Sequence, residues 1–389
     1  MDTPLTSPGT DTKPDSLPDF RDPSRAKLLY RQIHEAVRPG QRYRFMEFCG
    51  GHTHTLFRHG LTDSLPSAIE LLHGPGCPVC VLPMARMDMA IRLAKRPEVI
   101  LCTYGDMLRV PGSQRQNLLQ LKAEGARIEV LYSPHDCLAL AKAHPECQIV
   151  FFAVGFETTA PTTALLVTEA ERQGLRNLTV FCNHVLTPPA IRGILAPTDD
   201  SPAPQLEGLI GPGHVSVITG MTPYHALSTE FQINIEVCGF EPLDLLQGIL
   251  TLVQRTNAGS VEAHNQYTRA VTASGNLKAQ ALLRQVFVVR DAFEWRGLGF
   301  MPHSALALAP GYARFDAEHR FALQEAPAQD NRACACPSVL RGQTRPEACP
   351  LWDNPCTPDN PIGACMVSSE GACAAHYRYR RHQRIPTSA

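Results

Sequence analysis

No stretch of this chain comes near the roughly 18 to 20 uninterrupted apolar residues that a helix needs to cross a bilayer, and charge or glycine closely flanks its longest apolar runs. A membrane span is not expected. An excess of one charge is missing too: 36 basic residues stand against 37 acidic ones, a formal net charge of -1, and no basic run marks a groove reader. Nucleic acid is therefore not an expected partner. The phosphate cradles GxxxxGK(S/T) and GxGxxG between strand and helix do not occur, and the GPG turns that do occur put proline where a cradle needs free N–H groups. No nucleotide site is expected. Without a GxSxG elbow, a serine hydrolase is unsupported as well. Met1 to Phe20 lacks both the basic and the apolar stretch of a secretory leader, so the expected location is the reducing cytoplasm.

What the chain does have is sulfur. Fourteen cysteines in a reducing compartment point to metal binding or thiol chemistry, since cytosolic disulfides are usually transient. Six crowd the last sixth, at Cys334, Cys336, Cys349, Cys356, Cys365 and Cys373, amid Pro, Gly and polar residues with no strong apolar pattern. Soft thiolates select iron-sulfur clusters, zinc or cuprous ions, and several converging on one metal replace the core that so short a segment lacks. A tail folded around a metal is expected. The competing reading, a disulfide-stapled tail, needs an oxidising compartment.

At 389 residues the chain has room for two or three domains. Residues 1–24, rich in Pro, Asp, Ser and Thr, are expected to be a disordered lead. A helix follows around 26–37, then strand-like runs at 44–49, 69–72, 99–103 and 127–132, with helical spacing over 84–95 and 114–124. The alternation restarts with strands at 148–154, 178–182, 208–218 and 233–238 and helices near 162–173, 223–229 and 243–254. Helical spacing resumes over 261–286. These patterns predict an α/β fold with two lobes, 25–145 and 146–258, each a parallel sheet flanked by helices around a shared cleft. A mainly helical or irregular, cysteine-rich domain over 259–389 completes the expectation. Two echoes suggest duplication: FCGGHTHT at 48–55 against VGFETT at 154–159, and GPGC at 74–77 against GPGH at 211–214.

Cys49-Gly50-Gly51-His52-Thr53-His54 follows a strand-like run, which puts a thiol and imidazoles on one turn with glycines that allow close approach. Cys49 can ligate iron, and His52 can take its proton or act as a second ligand; solvated histidines beside a strand-end cysteine are the bland alternative. Gly74-Pro75-Gly76-Cys77-Pro78-Val79-Cys80 is expected before the helix over 84–95 and near its beginning, whose positive end favours thiolate, so Cys77 and Cys80 can cycle to a disulfide or clamp a soft metal. No second CxxC completes a zinc site. In Phe156-Glu157-Thr158-Thr159-Ala160-Pro161, Glu157 is a candidate cleft acid or base, although helix capping accounts for the threonines. His184 and His214 are further cleft candidates, or else satisfied loop histidines.

These four segments, FCGGHTH, GPGCPVC, GFETTAP and the run from Cys356 to Cys373, occur in the order of the HypD family of [NiFe]-hydrogenase maturation factors, and the chain resembles that family from about residue 25 to 380. The resemblance implies a scaffold on which the Fe(CN)2CO unit of the hydrogenase active site is built. It also implies partners: a small protein, HypC, a cyanide donor, HypE, and indirectly the hydrogenase large subunit. Carried over, it makes Cys49 the thiolate on the assembling iron, Cys77 and Cys80 a redox-active or iron-contacting pair, and His52 a proton relay. Its C-x14-C-x6-C-x16-C spacing selects Cys334, Cys349, Cys356 and Cys373 as [4Fe-4S] ligands and leaves Cys336 and Cys365 over. An iron-sulfur thiol-disulfide oxidoreductase using Cys77 and Cys80 is the alternative from another class, and a zinc-stapled module remains open from spacing alone.

Overall fold

The runs Gln148–Gly155 and Leu178–His184 have no polar face, for all of the second and all but the first residue of the first are buried. Such strands need cover on both sides, as in a parallel sheet with crossover helices. The computed structural model, which describes residues 19–196, 203–324, 328 and 330–380, contains two such sheets.

In chain order, α1 (Pro23–Ala36) leads into β1 (Tyr43–Glu47), α2 (Gly50–Arg58) and β2 (Ile69–His73). Then come α3 (Pro78–Val81), α4 (Met84–Ala94), β3 (Val99–Thr103), α5 (Leu118–Ala123), β4 (Ile128–Val130) and α6 (Asp136–Ala143). The middle of the chain holds β5 (Gln148–Gly155), α7 (Ala160–Arg172), β6 (Leu178–His184) and α8 (Thr187–Leu195). After it come β7 (Gly208–Pro212), α9 (Gly213–Thr219), α10 (Thr222–Phe231), β8 (Asn234–Cys238), α11 (Pro242–Ala258) and β9 (Ala263–Asn265).

One sheet has the order β2-β1-β7-β8-β9, the other β4-β3-β5-β6, and every pairing in both is parallel. The fold is thus α/β with two parallel sheets flanked by helices. Strand membership does not divide the chain into successive halves. The first sheet draws on 43–73 and again on 208–265, whereas the second is built from 99–184, so the boundary expected at 145/146 falls inside one sheet. The chain leaves the first sheet through α4 and rejoins it at β7.

Local chemistry sets several element ends. α1 begins where the Asp22 carboxylate accepts the Ser24 N–H at 2.7 Å, with Pro23 in the first turn and Leu29 and Ile33 facing inward. The lead expected over 1–24 lies outside the described residues up to 18, and its end is ordered: Asp22 caps α1, which already includes Pro23 and Ser24. The strand expected over 208–218 stops at Pro212, which has no N–H to extend a ladder, and Ser216 Oγ donates to the Pro212 carbonyl at 2.8 Å inside α9. The helical spacing over 261–286 yields a helix only at α12 (Leu277–Val286), because its first part joins the sheet as β9.

The C-terminal region combines helices and irregular segments with two small antiparallel ladders. β10 (Phe287–Val289), β11 (Ala292–Trp295), β12 (Gly299–Pro302) and β13 (Leu306–Leu308) pair as β10 with β13 and β11 with β12. Three short helices, α13 (Ala317–Arg320), α14 (Cys336–Leu340) and α15 (Ala372–Arg380), complete it. No helix among the described residues is long and apolar enough to cross a membrane.

Candidate functional site

Open α/β sheets bind ligands beyond the carboxyl ends of their strands, and here both sheets direct those ends at one cavity of about 420 Å³. Phe48 and Cys49 reach it from β1, Gly76, Pro78 and Val79 from β2, and Tyr104 to Met107 from β3. Phe156 and Thr159 arrive from β5, His214 and Val215 from β7, and Ser368 and Glu370 from the tail. FCGGHTHT and VGFETT therefore face one another from different sheets, as the first echo suggested. The two GPG turns, by contrast, leave β2 and β7 of the same sheet, on either side of β1.

Cys49 sits just before α2 in an extended conformation, its backbone N–H donating to Glu47 Oε2 at 2.8 Å. Burial, with Glu370 and then Glu47 close by, pushes the thiol up to about 12, against backbone N–H groups of Gly51 and His52 that favour the thiolate. Without a cation the site holds a thiol. The next turn is packed backbone to backbone on it: Gly50 N–H donates to the Gly76 carbonyl at 3.1 Å, and any side chain at Gly76 would collide with the Cys49 backbone.

Cys77 and Cys80 are joined by a disulfide and fully buried, leaving Gly76, Pro78 and Val79 of their turn at the cavity wall. The pair lies before α4 and near its beginning, as expected, but on a turn of its own: Cys80 is in α3, which Pro83 separates from α4. Cys77 precedes α3, and its sulfur accepts the Cys80 N–H at 3.2 Å. A disulfide is no thiolate ligand, so this pair meets a metal only after two-electron reduction.

The remaining candidates separate. His214 lies at the cavity, its ring stacked 3.7 Å from that of Phe240. His52 is stacked 4.8 Å away on Phe240 and fully buried; its Nε2–H donates to the Cys238 carbonyl at 3.2 Å, while Nδ1 has no partner among the described residues. Burial lowers the pKa of both imidazoles. The Glu157 carboxylate turns away from the cavity and accepts the Thr187 N–H at 2.8 Å and hydroxyl at 3.0 Å at the start of α8; burial raises it to about 7. His184 is buried against the Thr163 hydroxyl at 2.9 Å and is not part of the cavity wall.

All six tail cysteines gather in one region. Cys336 lies close enough to Cys334, Cys365 and Cys373 to shift all three thiols; Cys349 accepts the Ala335 N–H at 3.4 Å, and Cys356 the Ile362 N–H at 3.4 Å. Proximity to Cys336 and Cys373 holds the Cys365 thiol low, and proximity to Cys336 and Cys365 pushes Cys373 up. Cys80, Arg296, Cys334 and Cys336 line a narrow cavity, which puts the disulfide next to this sulfur group. A metal-thiolate group fits here on three counts. The donors are all sulfur, and a Cβ at Gly363 would lie 2.6 Å from Cys334 Sγ and 3.0 Å from Cys336 Sγ. The buried Arg296 guanidinium, ion-paired with Asp330 through Nε, also has Nη1 unpartnered among the described residues, a donor suited to an anionic group.

Glu370 and Phe240 escaped the sequence reading. Glu370 stands three residues before Cys373, a spacing that could have drawn attention to it; Phe240 follows β8 with no chemical signal. A further group, His144, Glu146 and Cys147, brings ligand atoms within 4.8 Å of one another. The Arg127 guanidinium stands 3.0 Å from the Cys147 sulfur and opposes a cation there.

Comparison with known proteins finds one family over this same span. The HypD profile, described as "Hydrogenase formation hypA family", matches residues 24–380. The hydrogenase expression/formation protein HupD of Azotobacter chroococcum is 56% identical over 366 residues, 94% of this chain and 97% of that protein. The hydrogenase maturation factor HypD of Azotobacter vinelandii is 55% identical over 366 residues, with the same coverage. That of Escherichia coli is 45% identical over 375 residues, 94% of this chain and 98% of its own length.

Proposed function

The chain belongs to the HypD family of hydrogenase maturation factors, and from that premise we propose that it is a redox-capable scaffold on which the Fe(CN)2CO unit of a [NiFe]-hydrogenase is assembled. Cys49 takes the cargo iron as a thiolate, together with a small partner of the HypC type. A HypE-type protein delivers cyanide, and the finished unit passes to the hydrogenase large subunit. What carries this reading is the position of Cys49, on a wall shared by the strand ends of both sheets and by Glu370 from the tail, directly against the disulfide turn.

The chemistry follows from the residues. Cyanide and carbon monoxide prefer electron-rich ferrous iron, which soft thiolate ligation favours. Cys334, Cys349, Cys356 and Cys373 would hold a [4Fe-4S] cluster, which supplies electrons one at a time. Two electrons and two protons convert the Cys77–Cys80 disulfide into two thiols, and only then can these sulfurs contact iron. Asp106, His214 and Glu370 are cavity-wall groups able to hold and move protons; His52, behind Phe240, keeps the Cys49 helix in place through the Cys238 carbonyl.

The test is anaerobic purification with the small partner. Iron beyond four atoms per chain and infrared bands of bound cyanide and carbon monoxide are expected, and Cys49→Ala loses the bands while keeping the tail iron. Bands that persist in this variant sink the assignment. The disulfide itself favours a second reading, a thiol-disulfide oxidoreductase, which requires multiple turnovers with no partner present.

A further inference from the structure

Glu47 ends β1 almost completely buried, and its carboxylate is fully engaged. Oε1 accepts the Thr53 hydroxyl and, at 2.8 Å, the Nδ1–H of His73, while Oε2 accepts the Cys49 backbone N–H. This carboxylate thus fixes where the Cys49 turn begins. The contacts continue through His73, the last residue of β2. Its Nε2 lies 2.9 Å from Nε2 of His376 on α15, a residue 303 positions away, and Nδ1 of His376 meets the Glu347 carboxylate. Both rings are buried. α15 lies against α2, with the Phe57 ring 4.0 Å from that of His376 and Arg380 paired with Asp63.

We propose that His73 and His376 are positioning residues that fasten Glu47, and through it the backbone of Cys49, to the tail helix carrying Cys373, so that access to the Cys49 thiol is governed by the tail. This deepens the reading of Cys49 given above. The argument is one of satisfied bonds. Because both Nδ1–H groups donate to carboxylates, the hydrogen between the two Nε2 atoms is a further proton that the pair shares, so each ring needs the other, and removing one leaves a buried nitrogen without a partner. A packing role would be filled by any side chain of similar volume. A positioning role depends on the nitrogen.

The experiment measures alkylation of Cys49 by iodoacetamide in the full-length chain, kept anaerobic without cargo or partner and followed by peptide mass spectrometry. His376→Ala should speed alkylation by about tenfold, the size of one lost buried hydrogen bond acting on a local opening. His73→Asn, whose amide can still reach Glu47 but not His376, should do the same. His376→Gln, whose amide reaches the Nε2 position, should stay within about twofold of the unaltered chain. Fully buried Cys102 serves as the gauge of global unfolding and should remain unlabelled. An unaltered rate in His73→Asn, a fast rate in His376→Gln, or Cys102 labelled as fast as Cys49 would each overturn the proposal. If His376→Ala does not fold, the other two variants decide. Because the rate needs no iron, it stands or falls separately from the assembly reading, which the infrared bands test.

Discussion

A thiol lifted to about 12 becomes a ligand only when a cation displaces its proton, so the desolvation of Cys49 at the cavity wall also makes metal uptake a proton-releasing event. With one proton lost per ion, ferrous affinity at the cavity should rise about tenfold per pH unit between roughly pH 6 and 8.5. Anaerobic iron titrations at several pH values check this, and Cys49→Ala should abolish the slope. His184 shows burial acting on the opposite kind of group: desolvation lowers its pKa from 6.5 to about 4. Between those values the unfolded chain binds a proton that the folded chain refuses. Stability should accordingly fall as pH drops from about 6.5 towards 4, by roughly 3 kcal/mol for this one residue. Denaturant melts of His184→Gln, which can keep the Thr163 bond but cannot titrate, should show that part of the acid sensitivity gone.

At the scale of elements, the candidate site is built from the turns that leave the strands, and two glycines, one in such a turn and one in the tail, work through close approach. Gly76 lets the CxxC turn lie on the Cys49 backbone, and Gly363 leaves room beside Cys334 and Cys336. Gly363→Ala should therefore lower tail iron and the thiolate-to-iron absorption near ~400 nm in anaerobic protein, while the Cys49 alkylation rate stays unchanged. Equal iron content in the two proteins would remove Gly363 from the metal region. Much of this was legible in the sequence. Apolar runs ending in glycine, cysteine or histidine marked the exits of β1, β2 and β5, because a parallel strand must be apolar and its exit must turn, whereas the run over 208–218 hid the exit of β7 at Pro212. The separate turn α3 was not read, for Pro78 and Pro83 give similar helix-start signals five residues apart and only packing distinguishes them. Glu157 showed the limit of local reading: an acid in a glycine- and threonine-rich turn looks catalytic until the distant Thr187 is seen to occupy it.

At the scale of the whole molecule, periodicity gave the strands but not their partition, since nothing in β7 says that it returns to lie beside β1 across more than a hundred intervening residues. That return is what brings the strand ends of both sheets to one cavity, and the C-terminal region must then be tied to the sheets for its cysteines to stand behind the disulfide. One such tie is a buried charge cluster. Arg86 of α4, fully buried, donates to Asn183 Oδ1 at 2.6 Å, to the Cys182 carbonyl at 3.0 Å and to both oxygens of Glu318 in α13, while Arg290 donates to Glu318 from the other side. Burial works against the Glu318 charge, yet its bonds to Arg86 and Arg290 hold the carboxyl below its ordinary value. Removing only the acid strands a guanidinium in the core, so Glu318→Ala should cost about 3 to 5 kcal/mol and lower the melting temperature. Replacing Glu318 together with its fully buried partner, as Arg86→Met with Glu318→Leu, should recover part of that loss, because the unpaired charge of Arg86 is removed while the partly exposed Arg290 turns to water. A double variant as unstable as Glu318→Ala alone would show instead that the geometry of the hydrogen bonds, rather than charge balance, joins the two parts of the chain.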